Sequence, residues 1–215
     1  MPPPDPSDGD TSLMSSKEAP WPGDSDHVRL ERAEILSDAW YTLRRYTFAQ
    51  RRRDGAWQSA AREAYDRGNG VAILLYDRQK RSVVLTRQFR LPAYVNEGGD
   101  GMLIEATAGL VDDLDPKAAI IKEVEEETGY HVRDVSELFD IFMSPGAVTE
   151  RLYFYLAEIE AGVRGSEGGG AADEGEDIER IEVDFDEALA MIDRGEIRDA
   201  KTIILLYHMR VKGIL

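Results

Sequence analysis

Cysteine is absent from this 215-residue sequence, which removes disulfides, thiolate metal sites and a cysteine nucleophile together. The absence suits a cytoplasmic protein. No apolar run approaches the ~20 residues of a membrane span, and the first residues lack the basic-then-apolar layout of a signal peptide. A membrane is therefore not an expected partner. Positive charge is also scarce, with 26 Lys and Arg against 42 Asp and Glu and a formal net charge of -16. Such an excess of acid repels a nucleic-acid backbone, so nucleic acid is not an expected partner either. An anionic small substrate would need local relief from metal ions and selected Arg or Lys. Histidine is limited to His27, His131 and His208, in a polar tail, after a Glu-rich segment and in an apolar helix, so each reads as structural or solvated.

The 42% apolar content supports a real core in one large or two small domains. Residues 1–27, rich in Pro, Ser, Asp and Gly, read as a mobile acidic tail. Residues 28–66 hold three strand-like segments, VRLERAEIL, WYTLRRYTFAQRRR and AWQSAAREAYD, with Asp54-Gly55 as a hairpin signal between the last two. This predicts a small antiparallel sheet subdomain. Its Trp40, Tyr41, Tyr46, Phe48 and Trp57 exceed what such a sheet can bury alone, which points to a homodimer interface. Residues 67–215 read as one domain. VAILLYD and SVVLTRQFR are buried strands joined at Arg78–Lys80; MLIEATA, SELFDIFMS, RLYFYLAEIE and IERIEV are further strands, with helices at FDEALAMIDRG and AKTIILLYHMRVKG. Strands and helices in this mixed order predict an α+β sandwich with a mixed central sheet.

The chemistry concentrates between Gly109 and Tyr130. Pro116 to Thr128 should be helical, started by Pro and stopped by Gly129. Glu123, Glu126 and Glu127 then share one face, while Ile120, Ile121 and Val124 turn to the core. Like charges so spaced cost a few tenths of a kcal/mol per pair (~0.2–0.5), and a hard divalent cation is their natural compensator, magnesium or manganese. The Gly-rich stretch between Ile159 and Ile178 is too irregular for an element and long for a passive connection, so it reads as a disordered insert or a functional lid. Glu174 and Glu176 near its end could deliver a carboxylate to the helix.

Gly109, Glu123, Val124, Glu126, Glu127, Gly129 and Tyr130 resemble the Nudix box, with Asp115 where a Glu is usual, Lys122 where Arg is usual, and one residue fewer between them. The chain after about residue 27 is similar to the branch of that family that cleaves GDP-mannose and ADP-ribose. The resemblance implies the Nudix α/β/α sandwich, preceded by an N-terminal sheet exchanged between protomers of a homodimer. It implies magnesium, with manganese as substitute, held by Glu123, Glu127, Glu176 and the Ala108 carbonyl, and catalysis by Glu176, Glu126 and Glu127. Glu174 is the alternative to Glu176. Trp40, Arg62, Glu63, Arg90, Glu150, Gly170, Ala171 and Lys201 are implied as substrate contacts; for Arg90 and Lys201 the charge argument agrees. The implied reaction is hydrolysis of a nucleoside diphosphate sugar, GDP-mannose first and ADP-ribose as the alternative. A nucleotide-sugar sensor without turnover is the reading from another class.

Overall fold

The computed structural model describes residues 20–111, 114–159, 165–171 and 175–215. The tail up to residue 19 and the candidate Glu174 lie outside them. The chain forms two compact units: the described residues up to Arg67 with Ser144–Glu150, and Gly68–Met143 with Arg151–Leu215.

In the first unit, β1 (Val28–Asp38), β2 (Thr42–Arg51) and β3 (Trp57–Asp66) form an antiparallel sheet in that order. The hairpin falls where Asp54-Gly55 was expected: the Asp54 carboxylate accepts from the Ala56 N–H at 3.0 Å, and Gly55 takes φ 86°. Ser144–Glu150 extends this sheet, with Val148 bridged in parallel to Tyr65. The end of the expected tail is seated as well. Trp21 lies 6.1 Å from the Tyr46 ring and donates from Nε1 to Asp24, because an indole gains more from a ring contact than a Pro-Gly segment gains from freedom.

The second unit is a mixed seven-stranded sheet. Its strands run in the order β10 (Glu179–Asp184), β5 (Ser82–Phe89), β4 (Gly70–Asp77), β9 (Arg151–Glu158) and β8 (Ser136–Phe142), with β6 (Met102–Glu105) paired to β5 and β7 (Thr107–Leu110) paired to β4. β4 pairs parallel with β9 and antiparallel with β5 and β7. Buried on both faces, β4 sends Ala72 and Leu74 to one core and Val71, Ile73 and Leu75 to the other. Helices α3 (Phe185–Asp193) and α4 (Ala200–Lys212) cover the first face through Phe185, Ala188, Leu205, Leu206 and Met209. Helix α2 (Pro116–Glu123) covers the second through Ala119 and Ile120. This is the expected α+β sandwich.

Three local readings needed correction. MLIEATA is two strands, since the chain breaks at Ala106 and passes from pairing with β5 to pairing with β4. A short helix, α1 (Leu91–Glu97), follows Arg90 with Pro92 in its first turn. Finally, the helix expected to Thr128 is α-helical only to Glu123; Val124–Thr128 form a single π turn, closed by Gly129 at φ 73°. Among the described residues no helix is long and apolar enough to cross a membrane.

Candidate active site

The site grows from the β6–β7 break. Glu105, the last residue of β6, is an acid in an apolar strand and only 3% exposed. A buried carboxylate must be paired. Arg90 donates to its Oε2 from Nε and Nη2 at 2.9 and 2.7 Å, and Lys201 Nζ stands 3.1 Å from Oε1. Burial works against the Arg90 charge, but Glu105 outweighs it and holds the guanidinium above its ordinary value. Lys201 also donates to Asp199 at 2.9 Å. Asp199 caps α4 by accepting from the Thr202 N–H and hydroxyl, and the Thr202 Oγ1 accepts from the Ala106 N–H at 2.7 Å. One hydrogen-bonded chain thus fixes both cations to the strand break. Glu105 and Asp199 were missed in the sequence; the signals were an acid inside MLIEATA and an Asp just before a helix.

The carboxylates lie one strand further on. Asp115, in place of the usual Glu, is the N-cap of α2 and accepts from the Lys117 and Ala118 N–H groups at 3.0 and 3.2 Å. Glu123 at the end of α2 lays its carboxyl directly on the Gly109 α-carbon, where any side chain would overlap it. That contact is the physical demand for glycine there. Glu127, on the π turn, is 2% exposed, and its Oε2 has no hydrogen-bond partner. Burial, then repulsion from Glu123, pushes its carboxyl up to about 8 from an ordinary 4.5; Glu176 adds repulsion, while Thr107 and Arg90 pull the other way. Thr107 Oγ1 is itself buried without a partner, so it approaches the carboxyl without completing a hydrogen bond.

Glu123 and Glu176 are therefore brought near Glu127 and both raise its carboxyl. Glu126 is not: it faces Lys122, whose Nζ donates to it at 2.7 Å across one helical turn. The π turn widens the helix and separates these glutamates from the single face expected of a regular α-helix. Among the described residues, no three acids or histidines already converge as a metal-binding group. The donor set nevertheless fits a divalent cation. A buried, unpartnered carboxylate oxygen, a second carboxylate on the adjacent glycine and a third from the loop supply the oxygen donors that a hard divalent cation takes.

Gly170 and Ala171 adjoin this group, and the Ala171 N–H donates to Glu176 Oε2 at 2.9 Å. Trp40, Arg62, Glu63 and Glu150 lie in the first unit. Trp40 is 82% exposed and meets Tyr41 edge to face. Arg62 donates to the Ala61 carbonyl, Glu63 pairs with Arg45 at 3.0 Å, and Glu150 pairs with Arg67 at 3.4 Å. Of the histidines, His131 faces Glu125 at 3.3 Å and His208 packs edge-on to Phe139.

Comparison with known proteins identifies the family. Residues 66–206 match the NUDIX domain, and residues 27–65 match the GDP-mannose pyrophosphatase NudK N-terminal domain. The chain belongs to the Nudix family and is a Nudix hydrolase. It is 50% identical over 189 residues to a GDP-mannose pyrophosphatase of Pectobacterium atrosepticum, covering 88% of this chain and 97% of that protein. A GDP-mannose pyrophosphatase of Cronobacter sakazakii is 49% identical, with 88% and 98% covered. The crystal structure of an ADP compounds hydrolase shares the fold, with a TM-score of 0.65 at 17% identity, over 87% of this chain and 95% of that one.

Proposed function

We propose that this protein hydrolyses the pyrophosphate bond of a nucleoside diphosphate sugar, GDP-mannose first, to GMP and mannose 1-phosphate. The observation that carries the reading is Glu127, a buried carboxyl with an unpartnered oxygen beside Glu123 and Glu176. A folded protein keeps such repulsion where a cation relieves it. The near-50% identity to GDP-mannose pyrophosphatases over almost their whole length supports the choice of substrate.

Glu123, Glu127, Glu176 and the Ala108 carbonyl would hold magnesium, or manganese in its place. When bound, the metal neutralises the diphosphate and makes a nearby water more acidic. Arg90 and Lys201, already oriented by Glu105, draw the negative oxygens into place. Arg90 commits Nε and Nη2 to Glu105, and its Nη1 makes no hydrogen bond among the described residues, so it is open to a phosphate. Water attacks one phosphorus, the bridging P–O bond breaks, and Glu176 takes the water's proton as general base. Glu127 would give up its proton to hold the cation, and Glu126, steadied by Lys122, would bind or orient a further ion. Trp40 contacts the base, Glu150, Gly170, Ala171 and Lys201 finish the pocket, and Arg62 and Glu63 reach across from the N-terminal sheet of the other subunit in a cytoplasmic homodimer.

The test is a panel of GDP-mannose, ADP-ribose and other nucleotide sugars with magnesium, products resolved by chromatography. GMP and mannose 1-phosphate at the highest kcat/KM are expected. AMP and ribose 5-phosphate as the preferred products would reassign the substrate, and no turnover of any member would leave a binding protein.

A further inference from the structure

A helix leaves its last carbonyls without partners, and its C-terminus carries partial negative charge. The Glu-rich helix is an adverse case, since Glu125, Glu126 and Glu127 crowd that end and no basic residue occupies its last turn. Its carbonyls are satisfied from far along the chain. Glu126 O accepts from the Gly170 N–H and Glu127 O from the Gly169 N–H, both at 3.0 Å, and Gly129 O accepts from the Gly165 N–H at 2.9 Å. Thr128 O accepts from Arg180 Nη1 at 2.7 Å. The described part of the Gly-rich stretch is thus a cap on the box helix. It approaches so closely that a side chain at Gly168 would stand 2.5 Å from Glu127 O, and Gly168 also takes φ 72°.

Arg180 is the one side chain in this set of donors. It sits on β10, in register with Thr86 of β5, and the same Nη1 also donates to Glu167 O at 3.2 Å. One guanidinium therefore ties the helix end to the loop. The tie continues to Glu176: Ile178 N–H donates to Gly169 O at 3.0 Å, Glu176 N–H to Ala171 O at 3.3 Å, and Ala171 N–H returns to the Glu176 carboxylate at 2.9 Å.

We propose that Arg180 is a positioning residue for the hydrolysis: by bridging Thr128 O and Glu167 O it holds the Gly-rich loop on the box helix and so sets Glu176 against Glu127. This rests on the reading of Glu176 and Glu127 as the working carboxylates. The described part of the loop and the helix end then act as one body.

The full-length protein with magnesium and GDP-mannose tests this through Arg180→Met and Arg180→Lys, with amide hydrogen exchange measured on the same samples without substrate. Arg180→Met should lower kcat about 10- to 100-fold, the scale set by misplacing a catalytic group by about an ångström, with KM moved less than about threefold. The Gly165, Gly169 and Gly170 amides should exchange at least about tenfold faster, while the β4 amides keep their protection. Arg180→Lys retains charge and one donor point and should recover part of kcat. Unchanged exchange at the three glycines, equal loss of protection in β4, or normal kcat in Arg180→Met would each overturn the proposal. Glu176→Gln separates the two ideas: if it turns over normally, the reading of the site fails and the catalytic role of Arg180 with it. If Glu176→Gln is inactive but Arg180→Met leaves loop exchange unchanged, only the present proposal fails.

Discussion

Adding magnesium to this protein should eject a proton from Glu127. The folded carboxyl lies at about 8 against an ordinary 4.5, raised by burial and by Glu123, so the metal-free fold binds a proton that the unfolded chain releases. Its contribution to stability is full below pH 4.5 and is lost as the pH climbs to about 8. At roughly 1.4 kcal/mol per pH unit the loss is on the order of 4 kcal/mol across that window. A divalent cation requires the carboxylate, and so reverses the preference. Titration of magnesium by calorimetry in buffers of differing ionisation enthalpy should count about 0.9 proton released at pH 7 and about 0.1 at pH 9, for one group of that pKa. Thermal unfolding should show magnesium stabilising the protein more as the pH rises. Glu127→Gln, which cannot ionise, should abolish the release and be more stable than the metal-free wild type at pH 8.5, with the advantage gone at pH 4.5. A wild-type release below about a quarter proton at pH 7, or a Glu127→Gln variant less stable at pH 8.5, would refute the argument from burial.

Other expectations are more local. Asp115→Ala removes two accepted N–H groups at the start of α2 and should cost about 1 kcal/mol in denaturant unfolding, without changing the denaturant slope. Glu105→Gln leaves Arg90 and Lys201 poorly oriented and should raise KM about tenfold in steady-state kinetics, from the loss of ~1.5 kcal/mol of charged hydrogen bonding; an unchanged KM would show that Glu105 serves packing alone. Mixing Arg62→Ala with Glu127→Gln and allowing subunits to exchange should restore about a quarter of wild-type activity if a two-fold dimer shares its sites. A monomer by light scattering removes that arrangement.

Local information carried much of this protein. Glu123, Glu127, Gly129 and the apolar strands were legible because a helix face and a buried strand are set by residues a few positions apart, whereas Gly109 was legible only through the resemblance to the Nudix box. The α+β sandwich followed from the order of those elements, and the Asp54-Gly55 turn from backbone chemistry alone. The tertiary structure decided what spacing cannot. A regular helix placed Glu126 beside Glu123 and Glu127, but the π turn and Lys122 separate it from them. Glu105 acquires meaning only when Arg90 and Lys201 close on it, and Thr202 reaches Ala106 from 96 residues away. Likewise the Gly-rich stretch reads as a disordered insert or a lid until the carbonyls of Glu126, Glu127 and Gly129, and the side chain of Arg180, account for its described part. The physical reason is common to these cases. Periodicity records which residues are buried, whereas the partner of a buried charge or an orphan carbonyl is chosen by packing between segments distant in the chain.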